Sequence, residues 1–192
     1  KRLEERVVGE LRDLSMPSVR FEVRLLSREG KNALSASGAD EVSFVMSANA
    51  GEALGPISRI ASGGELSRIM LALKNVFAEK DGVDALIFDE IDTGVSGVAA
   101  QRVAEKLASL GRTKQVLCVT HLPQIAAMAQ QQYLVEKAEH GGRTYTNIRL
   151  LDREGRRYEL ARLSGGDMIT DIQLAGAEEL LARDERFRAS LS

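Results

Sequence analysis

Three short strings place polar side chains where chemistry could be done. Ala61-Ser62-Gly63-Gly64-Glu65 stands directly ahead of an apolar-periodic stretch. Ser62 followed three residues later by Glu65 makes a capping box, in which each side chain satisfies a backbone N–H of a first helical turn. A cap needs neither glycine. Two glycines leave the N–H groups of a helix start open to close approach, an arrangement that suits a phosphate. The second string, Ala85-Leu86-Ile87-Phe88-Asp89-Glu90, is an apolar run closed by adjacent carboxylates. Ligands bind at the carboxyl ends of parallel strands. An aspartate there can hold Mg2+ against nucleotide phosphates, often through water, and Glu90 is placed to orient or deprotonate an attacking water. A solvated strand end explains the same two acids equally well. The third string, Val119-Thr120-His121, ends another apolar run in one of only two histidines. Its ring can hydrogen-bond a terminal phosphate or serve structure alone. Ile91-Asp92-Thr93-Gly94, after the acids, has the composition of a tight turn, with Asp92 as turn former.

These groups need a scaffold. Leu66, Ile69, Met70, Leu73, Val76 and Phe77 give a helical face over 65–80. The unbroken run 85–88 predicts a strand buried on both faces, and 116–120 a second, with Cys118 as a small core residue. Helices are expected over 96–110, 123–130 and 171–183, and strands over 133–136 and 144–151. Upstream, Leu3, Val7, Leu11 and Leu14 mark an amphipathic helix over 1–14, ended by Met16-Pro17. Phe21, Val23 and Leu25, and then Val42, Phe44 and Met46, recur at period two and predict an antiparallel pair. Strand and helix alternate through 65–138. The expected class is α/β, a mostly parallel sheet flanked by helices, with an amino-terminal helix and added antiparallel strands.

The 192 residues suffice for one domain with its own core, and three Tyr, five Phe and no Trp make that core mostly aliphatic. A net charge of −2 gives no global attraction to nucleic acid. Arg149, Arg153, Arg156, Arg157 and Arg162 form the one plausible basic patch, but Asp152, Glu154 and Glu159 dilute it, and it reads as a solvated surface. No stretch approaches the roughly 18 apolar residues of a membrane span, and no signal-peptide pattern opens the chain. The lone Cys118 makes no internal disulfide, which fits a reducing cytoplasm. A start at Lys1, within a charged helical pattern, suggests a piece of something longer.

A glycine-rich helix start, an acid-ended strand and a histidine-ended strand, in that order, resemble the ABC ATPase superfamily. In that family's terms Ser62, Gly63, Gly64 and Glu65 match the signature motif, Asp89-Glu90 the Walker B pair, Asp92 the D-loop and His121 the H-loop. The longer strings 55–68, 88–97 and 118–124 are similar to the RecN family of the SMC-like group, and the resemblance runs from about residue 15 to the end. It implies that 1–14 is the end of a coiled-coil helix and 15–192 the carboxy-terminal lobe of an ATPase head. It implies ATP and Mg2+ as cofactors, with Asp89 toward the metal and Glu90 and His121 catalytic. The signature residues would serve in trans, on the ATP of a second head in a homodimer. The other implied partners are the amino-terminal Walker A lobe of the same protein and DNA, reached through the full-length protein, with no membrane. The implied role is recombinational repair of DNA double-strand breaks in the bacterial cytoplasm, at the nucleoid. The alternatives are another SMC-like or ABC head, such as a transporter subunit, a non-enzymatic interaction domain, and a direct DNA-binding module.

No G-x-x-x-x-G-K-[ST] occurs: Gly30-Lys31 is followed by Asn32, and Gly111-Arg112-Thr113 lacks the lysine. The family carries that loop in its amino-terminal lobe. A second Ser-Gly-Gly, Ser164-Gly165-Gly166, precedes no acid-ended strand and reads as a turn or cap. The isolated chain is therefore expected to turn over no ATP above a Glu90→Gln control in a steady-state phosphate-release assay.

Overall fold

The computed structural model describes residues 1–28, 30, 34, 36, 38–59, 63–78, 82–140 and 143–191. They form two compact units, Lys1–Val95 with Thr113–Cys118, and Ser96–Arg112 with Val119–Ser192.

In the first unit, α1 (Arg2–Asp13) carries Val7 and Leu11 into the core, joined by Leu14. Glu4 of α1 accepts the Val23 N–H at 3.0 Å, tying the helix to the strand that follows. β1 (Arg20–Ser27) and β2 (Asp40–Ser47) pair antiparallel as expected, with Phe21 opposite Met46 and Val23 opposite Phe44. The rings of Phe21 and Phe44 lie 5.6 Å apart on the shared face. A short third strand, β3 (Gly55–Pro56), adds to β2. α2 (Gly63–Phe77) follows, burying Ile69, Leu71 and Ala72. β4 (Ala85–Phe88) then pairs parallel with β5 (Gln115–Cys118), placing Phe88 opposite Cys118.

The α/β alternation is present, but among the described residues parallel pairing is confined to β4 and β5. Nor are those two strands buried on both faces. Phe88 is buried, whereas Ile87 is 75% exposed and its register partner Leu117 is 48% exposed. An apolar run records a need for cover and not its source.

The second unit contains α3 (Gly97–Leu110), α4 (Pro123–Met128), the antiparallel hairpin β6 (Tyr133–His140) and β7 (Arg143–Leu150), α5 (Arg153–Gly165) and α6 (Asp171–Ser190). Ala126, Ala127, Leu160, Ala161, Ala177 and Leu181 meet in its core. Thr170 and Gln173 close a capping box at the start of α6. α5 is an element that periodicity does not reveal, because charged residues crowd its sequence. Its usable signal is Asp152, whose carboxylate accepts the Gly155 N–H at 2.8 Å as an N-cap. The second Ser-Gly-Gly ends this helix, with Gly166 at φ +82° as C-cap.

α5 also corrects the reading of its arginines as one solvated surface. Arg156 is buried. Its guanidinium donates to the carbonyls of Ala127 at 3.1 Å and Ala129 at 2.8 Å, at the carboxyl end of α4. Arg188 of α6 donates to Ala127 and Met128 there as well. Two cations thus satisfy the end of a six-residue helix too short to persist alone. Arg156→Met should destabilise the protein by about 2 kcal/mol or more, because buried carbonyls lose charge-assisted partners. Urea denaturation measures the loss, and Arg156→Lys should recover only part of it, lacking the planar fork.

Candidate functional site

The site is a close contact between the first turn of α2 and the turn that leaves β4. Phe88 is anchored in the core, and the chain emerges from it into Asp89 and Glu90, both exposed. Asp89 Oδ1 accepts the N–H of Glu90 at 2.9 Å, which bends the backbone at once. Glu90 takes φ +56°, a left-handed conformation that a residue with a Cβ seldom adopts. Thr93 N–H then donates to the Glu90 carbonyl at 3.1 Å, and Val95 N–H to Asp92 at 3.2 Å. Ile91 and Asp92 turn inward and are buried. The sequence-expected tight turn therefore exists, with Asp92 inside it.

α2 fits this turn through its glycines. A Cβ on Gly64 would lie 2.8 Å from both Cβ and carbonyl oxygen of Thr93 and 3.1 Å from the Glu90 carbonyl. A Cβ on Gly63 would lie 2.3 Å from Glu90 Oε2, so the Glu90 carboxylate rests at the amino terminus of α2, where the helix dipole favours negative charge. One turn on, Ser67 Oγ donates to the Asp89 carbonyl at 2.8 Å, and Arg68 Nη1 to the Thr93 carbonyl at 2.8 Å. Sequence reasoning passed over Ser67 and Arg68. Neither had a usable signal, because the buried face of α2 carries Gly64, Arg68, Ile69, Leu71 and Ala72, whereas Leu66 and Met70 of the sequence-expected apolar face are exposed.

Gly63, Gly64, Asp89, Glu90 and Asp92 are thus brought together. Ser62 lies outside the described residues, and the capping box assigned to it with Glu65 therefore does too. Glu65 is on the first turn of α2, half-buried, and its charge opposes the desolvation that lowers the Arg68 pKa. His121 belongs to the second unit, where it is exposed in the segment leading into α4. That segment is shaped by Thr120, whose Oγ1 accepts the Leu122 N–H at 3.1 Å. Among the described residues no three His, Cys, Asp or Glu side chains converge as a metal site. A single exposed carboxylate such as Asp89 suits Mg2+, which keeps much of its water and takes its remaining ligands from phosphates.

Burial, with Asp92 and Asp89 adding like charge, pushes the Cys118 thiol up to about 12. The thiol is the reacting form's precursor and stays protonated at neutral pH. Its folded value lies above the unfolded one, so its contribution to stability is present below pH 9 and is lost as pH rises toward 12. Iodoacetamide at pH 8 should leave Cys118 unmodified in the native protein and alkylate it in urea, as read by mass spectrometry. Gly64→Ala should destabilise by about 1–3 kcal/mol, since backbone rather than a flexible tip must yield.

No protein-family model matches the chain. Its sequence is 46% identical over 180 residues to the DNA repair protein RecN of Halalkalibacterium halodurans, covering 93% of this chain and 32% of that protein. It is 44% identical over 181 residues to RecN of Vibrio cholerae, with 94% and 32% covered. The match to RecN of Bacillus subtilis is 39% over 202 residues, with 99% and 35% covered. The chain spans about a third of the length of these relatives. Among solved structures, the Smc head domain of Pyrococcus yayanosii, with coiled coil and joint, superimposes with a TM-score of 0.57 at 18% identity, over 84% of this chain and 29% of that one. The Pyrococcus furiosus Smc head gives 0.54 at 18% identity, over 84% and 37%. The chain thus has the fold of an Smc head domain, and its sequence is similar to RecN proteins along nearly all of its own length and about a third of theirs.

Proposed function

We propose that this chain is the carboxy-terminal half of an ATPase head that binds and hydrolyses ATP at a head–head interface and acts in recombinational repair of DNA double-strand breaks. The observation that carries the reading is the meeting of Asp89-Glu90, at the carboxyl end of a parallel strand, with the Gly63-Gly64 start of α2. Asp89 would hold Mg2+, which when bound neutralises phosphate charge. Glu90 accepts a proton from the water that attacks the γ-phosphate. Ser62, Gly63, Gly64 and Glu65 receive the γ-phosphate of ATP held by a second head, with Asp92 in the loop alongside. His121 contacts the terminal phosphate.

In this reading the Walker A lobe of the same protein completes each site. The exposed pair Ile87 and Leu117 supports that part, as an apolar strip that a further sheet element would cover. Residues 1–14 are the end of the coiled-coil helix, 15–192 the head lobe, and DNA is reached through the full-length protein. Among the described residues no helix is long and apolar enough to cross a membrane. The protein works at the bacterial nucleoid.

In the full-length protein Glu90→Gln should lower kcat by about 100-fold or more while ATP still binds. ATP-dependent dimers should accumulate in size-exclusion chromatography with ATP and Mg2+. A variant that binds ATP, stays monomeric and hydrolyses normally would overturn the reading. Ser62→Arg should bind ATP yet fail to associate. Were Ser62 only a helix cap, the change would cost about 1 kcal/mol of stability and leave association intact.

A further inference from the structure

Two side chains of α2 reach the acid turn from positions to which the proposed function gives no part. Ser67 Oγ and Arg68 Nη1 each donate at 2.8 Å, to the carbonyls of Asp89 and Thr93. Those carbonyls bracket Glu90. Glu90 is one of two non-glycine residues with a left-handed φ among the described residues, and a strained conformation persists only where its surroundings over-determine it.

Arg68 shows that this bracing does not serve stability alone. The residue is 7% exposed, and its Nε has no hydrogen-bond partner among the described residues. A guanidinium has been taken from water for a carbonyl bond and the more distant charge of Glu65. Arg156 spreads its guanidinium over several carbonyls of α4, whereas Arg68 bonds the Thr93 carbonyl and leaves Nε without a partner among the described residues, and a buried cation so sparsely paired is a weak fastener for a helix. Its fork does supply direction. It fixes where the Thr93 carbonyl lies relative to α2, and Thr93 is in turn hydrogen-bonded to the Glu90 carbonyl.

We propose that Ser67 and Arg68 are positioning residues that hold Glu90 in its left-handed conformation and make its aim follow α2. The proposal rests on Glu90 being the base, as argued above.

The test uses the full-length protein. Ser67→Ala and Arg68→Met should each lower kcat for ATP about 10- to 100-fold, the range expected for a misaimed group, with KM within about twofold. Ser67→Thr, which keeps the hydroxyl, should restore kcat, and Arg68→Lys should restore it in part. Independently of turnover, hydrogen exchange of the Thr93 and Val95 amides in nucleotide-free protein should quicken in Ser67→Ala and not in Ser67→Thr. The double variant Ser67→Ala/Glu90→Gln should be no slower than Glu90→Gln. Unchanged kcat and unchanged exchange in Ser67→Ala would overturn the proposal, as would a rise in KM at constant kcat. If Arg68→Met does not fold, Ser67→Ala decides. Normal hydrolysis in Glu90→Gln removes the base assignment itself, whereas an inactive Glu90→Gln beside a fully active Ser67→Ala removes this inference alone.

Discussion

At Gly64 the helix and the acid turn are so close that no side chain fits between them. A Cβ there would sit 2.8 Å from two atoms of Thr93. Without that approach the hydroxyl of Ser67 and the fork of Arg68 would fall short of the carbonyls they now meet at 2.8 Å. The Glu90 carboxylate would likewise lose its place against the first turn of α2. The glycine pair is therefore a geometric requirement of the fold before it is a ligand site. The glycine start of α2 and the strand-ending acid pair are served by one packing contact.

Around that contact the protein keeps groups that stability alone would not select. A glutamate occupies a left-handed position, a guanidinium is buried with one nitrogen unpartnered among the described residues, and Asp92 is folded inward. The left-handed backbone and the sparsely paired guanidinium each oppose folding by an amount typically of order 1–3 kcal/mol. Strained and desolvated groups gather where geometry must be fixed for chemistry. Cys118 is the contrast: burial, with Asp92 and Asp89 adding like charge, raises its thiol pKa and favours the protonated form.

The second unit solves a different problem by related means. α4 has six residues and ends without a polar cap of its own. Arg156 and Arg188 reach its last carbonyls from two longer helices. Charged residues spaced along α5 thus divide between solvent and core. Arg153 forms exposed pairs with Glu178 and Glu185, while three residues later Arg156 is inside.

Local chemistry was legible in the sequence wherever it is written in neighbouring residues. Period-two alternation placed β1 and β2 and their pairing, helical spacing placed α1, α2 and α3, and apolar runs placed β4 and β5. The order of signature, acid pair and histidine pointed to the family that the comparisons bear out. The sequence did not reveal α5, because its apolar positions are too few among charges for periodicity to register. It also misjudged the burial of β4 and β5, since an apolar run states a need for cover and not its source. Arg156, Ser67 and Arg68 were beyond it for the same reason. A polar side chain's partner is a carbonyl distant in sequence, and the 22 and 25 residues separating Ser67 from Asp89 and Arg68 from Thr93 are bridged only when helix and strand fold together. Residue types determined which chemistry is available; tertiary packing decided which groups meet, because hydrogen bonds and strain depend on ångström distances that sequence spacing does not encode.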